Sequence, residues 1–456
     1  MIHELSIANV GPASSMHLTF GNRLNLLTGD NGLGKSFLLD IVWWSLTRRW
    51  PAEVNPKLTA GKKALPVSGL TGEEASIAFS FAGKVKTERY ESHYKSTYAR
   101  REQSWTGRAG RPANPGLVLY AMVDGSFAVW DPHRNYWNTQ EGIDIQERVP
   151  AYVLSPTEVW DGLPGDERSW LCNGLIRDIA SWQKEKGAAF KHFNAVLKVL
   201  SPSTTEVLSL GELTRISLDD VREIPTLRMP YQKDVPIVHA SSGMRRILAL
   251  AYFLVWAWEE HQQAAKQLGE AVTPQITFLI DEVESHLHPS WQRSIVPALL
   301  KVVGKLNTKA QVQLITTTHS PLVMTSVEPL FDDSQDVWFD LDFSDGVVAL
   351  EQREFEKYGD AGNWLTSEAF DLKSSRPLEY EKLVDEAAKL LNKGAVSDSE
   401  LEAMHRRLLI ALDAKDEFLF RWRAVRDSKA NVVQDKKDKK TKKGRKDDSG
   451  GVTGGA

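Results

Sequence analysis

A glycine-rich run near the N-terminus constrains this chain more than any other feature. Residues 29–36 read Gly-Asp-Asn-Gly-Leu-Gly-Lys-Ser, and they stand between the apolar run Leu24–Leu27 and the helix-like run Phe37–Val42. A nucleotide's phosphates need several backbone N–H groups to converge on one point, and glycines allow the backbone to wrap that closely. The strand–loop–helix setting therefore predicts a phosphate-binding loop, an α/β fold and a nucleoside triphosphate as the ligand.

The residue types in this loop predict the tasks of its members. Lys35 carries a mobile cation for the β and γ phosphates, and Ser36 offers its hydroxyl to Mg²⁺ at the positive end of the helix. ATP and Mg²⁺ are therefore the predicted cofactors. The other predicted nucleotide-binding positions of the loop are Asp30, Asn31, Gly32, Leu33, Gly34 and Phe37.

A second apolar run, Ile276–Ile280, ends in the carboxylates of Asp281 and Glu282. A buried strand that ends in two acids is a Walker B arrangement, in which the strand end points the two carboxylates in different directions. We expect Asp281 to hold the Mg²⁺ shell and Glu282 to polarise the attacking water as general base.

A histidine follows a third strand-like run, in the sequence Thr316–Pro321. His319 at that position can donate a hydrogen bond to the γ-phosphate and respond to hydrolysis. A lone histidine usually has a structural role instead, but the place after a third strand favours the switch role.

Ser241 and Gly243 open a long helix-like stretch, in the sequence Ser-Ser-Gly-Met-Arg-Arg. A Ser-Gly turn at a helix N-terminus makes an anion site, because the N–H groups of the first turn have no partner within the helix. A simple N-cap would satisfy the same residues. Both interpretations stay open on these residues alone.

The order of these motifs resembles the ABC-class ATPases of the RecF, SMC and OLD type over residues 1 to about 325. The run Asp281–Pro289 is similar to the Asp-Glu-x-x-x-His-Leu-His-Pro run of stand-alone bacterial ATPases, including the Septu ATPase and OLD-like proteins. Ser155–Glu158 resembles the RecF stretch at the Q-loop position, and Glu158 is the candidate there. After His319 we find no Toprim-like acidic set, and the acids Asp340 and Asp342 are expected at the surface or at a strand end.

The resemblance implies an ABC-type signature at Ser241 and Gly243 that acts on the ATP of a second protomer. It thus implies a head-to-tail homodimer, or a higher oligomer, with two ATP molecules sandwiched at the interface. It also implies a bacterial antiviral role with a separately encoded nuclease such as an HNH protein. Two alternatives are an ATP-gated scaffold that holds an effector inactive with little turnover, and a DNA-repair ATPase of the RecF type. The degenerate signature and Q-loop argue against the ATPase subunit of a membrane transporter.

The predicted fold class is α/β, an ABC-type P-loop NTPase head with a largely parallel sheet flanked by helices. An N-terminal antiparallel β part, a helical insertion and a helical C-terminal extension are added to it. Within the insertion, residues 166–200 have a helical pattern, and in the extension two amphipathic helices are predicted over 378–393 and 398–426. The predicted boundaries are 1–165 for the first part of the head, 166–235 for the insertion, 236–350 for the second part, 351–427 for the extension and 428–456 for a disordered Lys/Gly-rich tail.

Composition limits the partners and the cellular compartment that this chain can be expected to have. The net charge of −4 does not indicate whole-molecule attraction to nucleic acid, so such binding would need a local patch. One candidate is the basic, aromatic stretch over 93–111, and another is the lysine-rich tail; a solvated loop and a solvated tail are the alternatives. The single cysteine, Cys172, excludes an intramolecular disulfide, and neither a signal peptide nor a membrane span is evident. We therefore expect a soluble, cytoplasmic protein with no membrane partner.

Overall fold

The computed structural model describes residues 1–67, 74–85, 88–107, 114–136, 138–140, 143–145, 148–166, 168–306, 310–344, 346–393 and 396–426. The chain forms two compact units, Met1–Phe370 and Asp371–Ala456. The predicted tail over 428–456 lies outside the described residues, as do Arg108 and Arg111 of the basic stretch.

The described secondary structure alternates strands and helices through most of the chain. The strands are β1 (Ile2–Val10), β2 (Ala13–Thr19), β3 (Leu24–Gly29), β4 (Ser76–Val85), β5 (Glu88–Ala99), β6 (Ser104–Trp105), β7 (Leu117–Ala121), β8 (Phe127–Trp130), β9 (Asn138–Gln140), β10 (Ile143–Ile145), β11 (Tyr152–Leu154), β12 (Leu163–Pro164), β13 (Trp170–Cys172), β14 (Thr226–Arg228), β15 (Asp234–Pro236), β16 (Gln275–Ile280), β17 (Gln311–Thr317), β18 (Val337–Ser344) and β19 (Val347–Arg353). The helices are α1 (Lys35–Thr47), α2 (Pro51–Val54), α3 (Pro156–Asp161), α4 (Leu175–Glu185), α5 (Ala188–Val199), α6 (Ser242–Leu268), α7 (Pro289–Gln292), α8 (Ile295–Leu306), α9 (Pro321–Val327), α10 (Ala361–Leu365), α11 (Leu378–Asn392) and α12 (Asp398–Ala411).

The centre of the first unit is an eight-stranded sheet in the order β11-β8-β7-β16-β17-β3-β18-β19. Its five middle strands from β7 to β18 run parallel to one another, and β8, next to β7, and β19, next to β18, are antiparallel to them. β7 and β16 are buried along their whole length, as expected for parallel strands that are covered on both faces. The carboxyl ends of β3, β16 and β17 lie side by side, and the three predicted motifs follow those ends.

Two apolar cores lie on the two faces of this sheet. Because successive strand residues point to opposite faces, Leu117 and Leu119 of β7 join one core with α6, whereas Val118 and Tyr120 join the other core with α1. The second core also includes the antiparallel sheet β2-β1-β4-β5-β6. The predicted fold class, a largely parallel sheet flanked by helices with an N-terminal antiparallel part, is confirmed.

The predicted basic, aromatic stretch divides between the faces of the antiparallel sheet. Tyr94 stacks on Phe79 with ring centroids 5.3 Å apart, and Tyr98 packs edge-on against the buried Trp105 at 5.3 Å. Both tyrosine rings thus pack against aromatic side chains of the protein's own core, which does not support the base-stacking platform of the nucleic-acid hypothesis. Exposed cations of the stretch remain at Lys95, Arg100 and Arg101.

The segment over 166–200 differs from its predicted helical pattern. Trp170 lies in β13, and the helices α4 and α5 begin only after Gly174. The helical pattern is interrupted at Gly174, because its φ of +89° is not helical; a Cβ there would lie 2.4 Å from the backbone nitrogen of Gly162, so the position also requires glycine. The helical insertion therefore consists of two helices between the short strand pairs β12–β13 and β14–β15.

The second unit is helical where the structure describes it. Residues 417–426 form a helix after α12, so the predicted second amphipathic helix is interrupted over 412–416. Arg376 pairs with Asp416 in this interruption. The side chains that form the core of the unit are Leu383, Ala387, Leu401, Met404, Leu408, Leu412, Leu419 and Trp422. Across the described parts of both units, no helix combines the length and the apolar character that a membrane crossing requires.

Candidate functional site

The phosphate loop leaves β3 at Gly29 and enters α1 at Lys35. Gly29 has a φ of +124°, and a Cβ there would lie 2.2 Å from the carbonyl oxygen of Leu341 in β18. Gly34 precedes α1 with a φ of +107°, and a Cβ there would lie 2.9 Å from the Pro12 ring. Both positions therefore require glycine, for backbone conformation as well as for space.

Lys35 lies inside the loop. Its Nζ donates to the carbonyl oxygens of Gly29 at 2.7 Å and Asp30 at 2.8 Å. Burial lowers the pKa of the ammonium, and the nearby Glu282 and Asp281 carboxylates oppose that effect. The cation is thus held next to the acid pair that the sequence places about 250 residues further along the chain.

Asp281 connects three elements at the carboxyl end of the sheet. Its amide donates to Ala121 O of β7 at 2.9 Å, and its carboxylate accepts from Thr317 Oγ1 of β17 at 2.8 Å. Burial raises the pKa of Asp281, whereas the hydroxyl groups of Ser36 in α1 and of Thr317, which lie near its carboxylate, lower it. The hydroxyl and carboxylate oxygens predicted for Mg²⁺ therefore meet, and they fit an ion that takes one or two carboxylates together with phosphate oxygens.

Glu282 stands beside Asp281 with an unusual backbone. Its φ is +46°, and its amide donates to Thr317 Oγ1 at 2.7 Å. Left-handed backbone is uncommon for a residue other than glycine and is found where the surrounding structure fixes it. Burial raises the pKa of Glu282 and Asp281 raises it further, whereas Lys35 and Arg246 lower it. A carboxylate with a raised pKa is a better general base at neutral pH.

Glu284 is a residue of the site that the sequence reasoning missed. Its carboxylate accepts from the amide of His319 at 2.5 Å and from Thr318 Oγ1 at 2.8 Å. It thus connects the loop after β16 to the segment that carries His319. The sequence feature that could have indicated Glu284 is a third acid two residues after the acid pair. Burial lowers the pKa of His319, and so does Lys35, which favours a neutral imidazole.

The first turn of α6 holds Ser241 and Gly243. Ser241 is the N-cap, and its side chain accepts from the Met244 amide at 3.4 Å. Gly243 is buried, and a Cβ there would lie 2.8 Å from the carbonyl oxygen of His286. In a single chain these contacts agree with the N-cap interpretation, and Ser241 itself is exposed. The trans-acting role stays a prediction.

Glu158, the Q-loop candidate, has a structural role. Its carboxylate accepts from Asn55 Nδ2 at 2.6 Å, from Lys57 Nζ at 2.7 Å and from the amide and hydroxyl of Ser155. It forms the capping box of α3 and attaches the segment after α2. Because both carboxylate oxygens are engaged in this way, a Q-loop ligand at this position is not supported.

Two acids were expected at the surface or a strand end. Asp340 instead is buried in β18, and Thr28 Oγ1 donates to its carboxylate at 2.6 Å. Thr28 immediately precedes Gly29, so Asp340 supports the strand that carries the phosphate loop. Asp342 lies two residues further along β18 and is half-buried.

Asp40 of α1 is a buried carboxyl close to the acid pair, and it was not predicted either. Tyr120 Oη donates to its Oδ1 at 2.9 Å. Burial raises its pKa from 3.8 to about 8, and Asp281 adds to that rise. Asp40 is therefore protonated in the folded protein at neutral pH.

The Asp40→Asn variant tests this carboxyl. The folded state retains a proton that the unfolded chain releases above its usual pKa of 3.8, so this contribution favours folding at low pH and is lost as the pH rises towards about 8. Asparagine keeps the oxygen that accepts from Tyr120. In EDTA we expect the variant to be more stable by about 5 kcal/mol at pH 8 and nearly unchanged near pH 4. Parallel stability–pH curves for the two proteins, measured by urea unfolding, would contradict this.

The loop at a helix N-terminus, the acid pair and the sheet order define an ABC-type P-loop ATPase of the class that includes RecF, SMC and OLD proteins. The family model described as "AAA domain, putative AbiEii toxin, Type IV TA system" matches residues 24–325. The chain belongs to this family.

Two proteins related in sequence agree with this assignment. The chain is 33% identical to the "Retron Ec83 probable ATPase" of Escherichia coli over 457 aligned positions, which cover 86% of this chain and 80% of that protein. It is 21% identical to the "Septu protein PtuA" of Bacillus thuringiensis over 324 residues, 70% of this chain and 72% of that protein. The SMC head domain from Thermotoga maritima is similar with a TM-score of 0.37 and 16% identity, over 77% of this chain and 99% of that one.

Proposed function

We propose that this ATPase binds ATP with Mg²⁺ in a composite site, hydrolyses it with Glu282 as general base, and dimerises head to tail around two nucleotides. The observation that carries the proposal is the meeting of the phosphate loop with the acid pair, in which the Ser36 hydroxyl lies near the Asp281 carboxylate and lowers its pKa. Lys35 and both acids are close enough for their charges to change one another's pKa. A nucleotide bound at α1 would therefore have its γ-phosphate beside Glu282.

Each residue of the site has a task in this proposal. Lys35 binds the β and γ phosphates, while Ser36 and Asp281 hold Mg²⁺, which supplies positive charge to the phosphate oxygens. Glu282 accepts a proton from the attacking water, and its raised pKa suits that work. His319 lies in a segment that Glu284 holds in place, and it would donate to the γ-phosphate.

The dimer follows from the exposed start of α6. Ser241 is exposed and caps a 27-residue helix, whose N-terminal dipole favours an anion. Within each chain, Lys35 of the phosphate loop provides the cation for that chain's own ATP. We therefore infer that the anion at the start of α6 is a phosphate of the second protomer's ATP. Ser241 and Gly243 of each chain would then complete the other chain's site.

Ser241→Asp separates the anion site from the N-cap. Aspartate and asparagine both cap helices as well as serine, so we expect the free energy of unfolding to change by less than about 0.5 kcal/mol in Ser241→Asp and in Ser241→Asn. Only aspartate would repel a phosphate. We therefore expect ATP-dependent dimerisation and ATPase activity to fall at least about tenfold in Ser241→Asp, with a smaller loss in Ser241→Asn. Equal activities in the two variants would leave Ser241 as an N-cap and nothing more.

The cellular role is proposed from resemblance. We propose that the ATPase acts in the cytoplasm in bacterial antiviral defence, and that its ATP-driven dimer drives or gates a nucleic-acid-directed or effector-coupled process with a separately encoded nuclease, such as an HNH protein. The similarity to a Septu protein and a retron ATPase supports this role. An ATP-gated scaffold with little turnover is less well supported, because the chain retains Glu282 with a raised pKa.

A further inference from the structure

Gln292 connects the loop after the acid pair to the segment that carries His319. Its Nε2 donates to Leu287 O at 2.9 Å, and its Oε1 accepts from Ser320 Oγ at 2.7 Å. A carbonyl oxygen such as Leu287 O can only accept, and this fixes which end of the amide faces it. The other end therefore faces the Ser320 hydroxyl, so one side chain bridges two segments that are distant in the chain.

The Ser320 hydroxyl uses both of its hydrogen-bonding functions. Ser320 is the N-cap of α9, and its oxygen accepts from the Val323 amide at 3.3 Å. Its single proton is donated to Gln292. Ser320 is only 5% exposed, so the loss of Gln292 would leave a buried hydroxyl proton without its partner. The contact with Gln292 is separate from the helix cap, and it can be removed while the cap remains.

The backbone of Gln292 is held by its own neighbours. Gln292 is the last residue of α7, and its amide donates to His288 O at 3.2 Å. The preceding residue, Trp291, is buried, and its Nε1 donates to Leu200 O, immediately after α5, at 3.0 Å. The half-buried side chain of Gln292 thus extends from a turn that is fixed at both of these points. It can therefore restrict the segment to which it is hydrogen-bonded.

His319 lies between two side-chain anchors. On its N-terminal side, Glu284 accepts from the His319 amide at 2.5 Å and from Thr318 Oγ1 at 2.8 Å. On its C-terminal side, Gln292 accepts from Ser320. Both anchors belong to the stretch that follows the acid pair in the chain. Two points of attachment fix the direction of the segment between them, whereas a single point allows that segment to turn.

We propose that Gln292 is a positioning residue of the ATPase site, which together with Glu284 holds His319 towards the γ-phosphate position. Gln292 acts on His319 through Ser320. A displacement of about 1 Å at a reacting group can lower a rate by about 10². A wrong direction of His319 therefore reduces turnover, although the phosphate loop still binds ATP. This inference rests on the proposed function, because it requires His319 to donate to the γ-phosphate.

Replacing Gln292 by leucine tests this role in ATP hydrolysis by the full-length protein. Leucine is apolar and removes both hydrogen bonds of the amide. We expect kcat to fall about tenfold, while the Kd for ATP, measured by isothermal titration calorimetry, changes less than about threefold. Gln292→Glu keeps an oxygen for Ser320 but places a second carboxylate oxygen against Leu287 O, which repels it. We expect this variant to lower kcat by about threefold to tenfold.

The same change in a His319→Ala background is the decisive measurement. If Gln292 acts through His319, Gln292→Leu lowers kcat less than about twofold further in His319→Ala, because the group that it positions is absent. Single-turnover assays with labelled ATP make slow hydrolysis measurable. An equal fold-loss of kcat in both backgrounds would show a general structural defect and would overturn the inference.

Gln183→Leu is the matched control. Gln183 of α4 is also half-buried, and its Nε2 donates to Gly211 O at 2.7 Å. We expect Gln183→Leu to keep wild-type kcat, whatever it does to Tm. Equal kcat values in Gln292→Leu and Gln183→Leu overturn the inference, and this comparison decides if His319→Ala shows no turnover. If Gln292→Leu does not fold, wild-type kcat in Gln292→Glu overturns it.

The role of His319 and the role of Gln292 can fail separately. Wild-type kcat in His319→Ala would contradict the proposed hydrogen bond to the γ-phosphate, whatever the Gln292 variants do. A large loss of kcat in His319→Ala, together with wild-type kcat in Gln292→Leu, would contradict only the positioning by Gln292.

Discussion

Replacing Glu282 by glutamine is expected to stop ATP turnover and to trap the ATP-bound dimer. Glutamine keeps the size of the side chain, but it cannot accept the proton of the attacking water. Lys35, which binds the phosphates, and Ser36, which holds Mg²⁺, are both unchanged, so nucleotide binding should persist. We expect kcat to fall by about 10²–10⁴, and gel filtration with ATP should show a dimer that wild type forms only transiently.

The matched control is Glu356→Gln, an exposed acid on the segment after β19. It makes the same chemical change away from the site and should keep wild-type turnover. If Glu282→Gln and wild type hydrolyse ATP at equal rates, Glu282 is not the general base. If ATP binds to both proteins but both hydrolyse it only very slowly, the result supports the ATP-gated scaffold and contradicts the ATPase mechanism.

Lys35→Ala is expected to give the largest loss of nucleotide affinity. The ammonium is buried, and it is held by the Gly29 and Asp30 carbonyls in a position that faces the loop interior. Removal of one partner of a buried charge pair costs about 2–5 kcal/mol, so the Kd for ATP should rise about thirtyfold or more. Isothermal titration calorimetry measures this change directly. Lys266→Ala, an exposed lysine in the last turn of α6, should bind ATP as wild type does.

The sequence alone predicts those parts of the site that lie in one continuous motif. Three motifs each mark the end of a strand: the glycines of the phosphate loop, the apolar run before Asp281 and the strand before His319. Parallel strands bring such ends to one edge of a sheet. For this reason the predicted fold class is confirmed, and the structure places Lys35, Ser36, Asp281 and Glu282 at one edge of the sheet.

Properties that depend on packing between distant segments could not be predicted in this way. Glu158 resembles a Q-loop residue in sequence, yet Asn55 and Lys57, about 100 residues earlier, occupy its carboxylate. In the sequence, Tyr94 and Trp105 resemble a base-stacking platform. In the folded sheet, the pleat directs both side chains to the core. Glu284 has its role only through contacts with Thr318 and His319, just after β17, which no local pattern shows.

Mixing Lys35→Ala with Ser241→Asp protomers tests the central claim, that one ATP site is built from two chains. Each variant alone should be nearly inactive. In a mixed dimer, the intact phosphate loop of the Ser241→Asp chain meets the intact Ser241 of the Lys35→Ala chain, so one site of two is complete. Random pairing then predicts recovery of ATPase activity to about a quarter of wild type. If the mixture is no more active than the separate variants, although gel filtration shows that the chains pair, the composite site is contradicted.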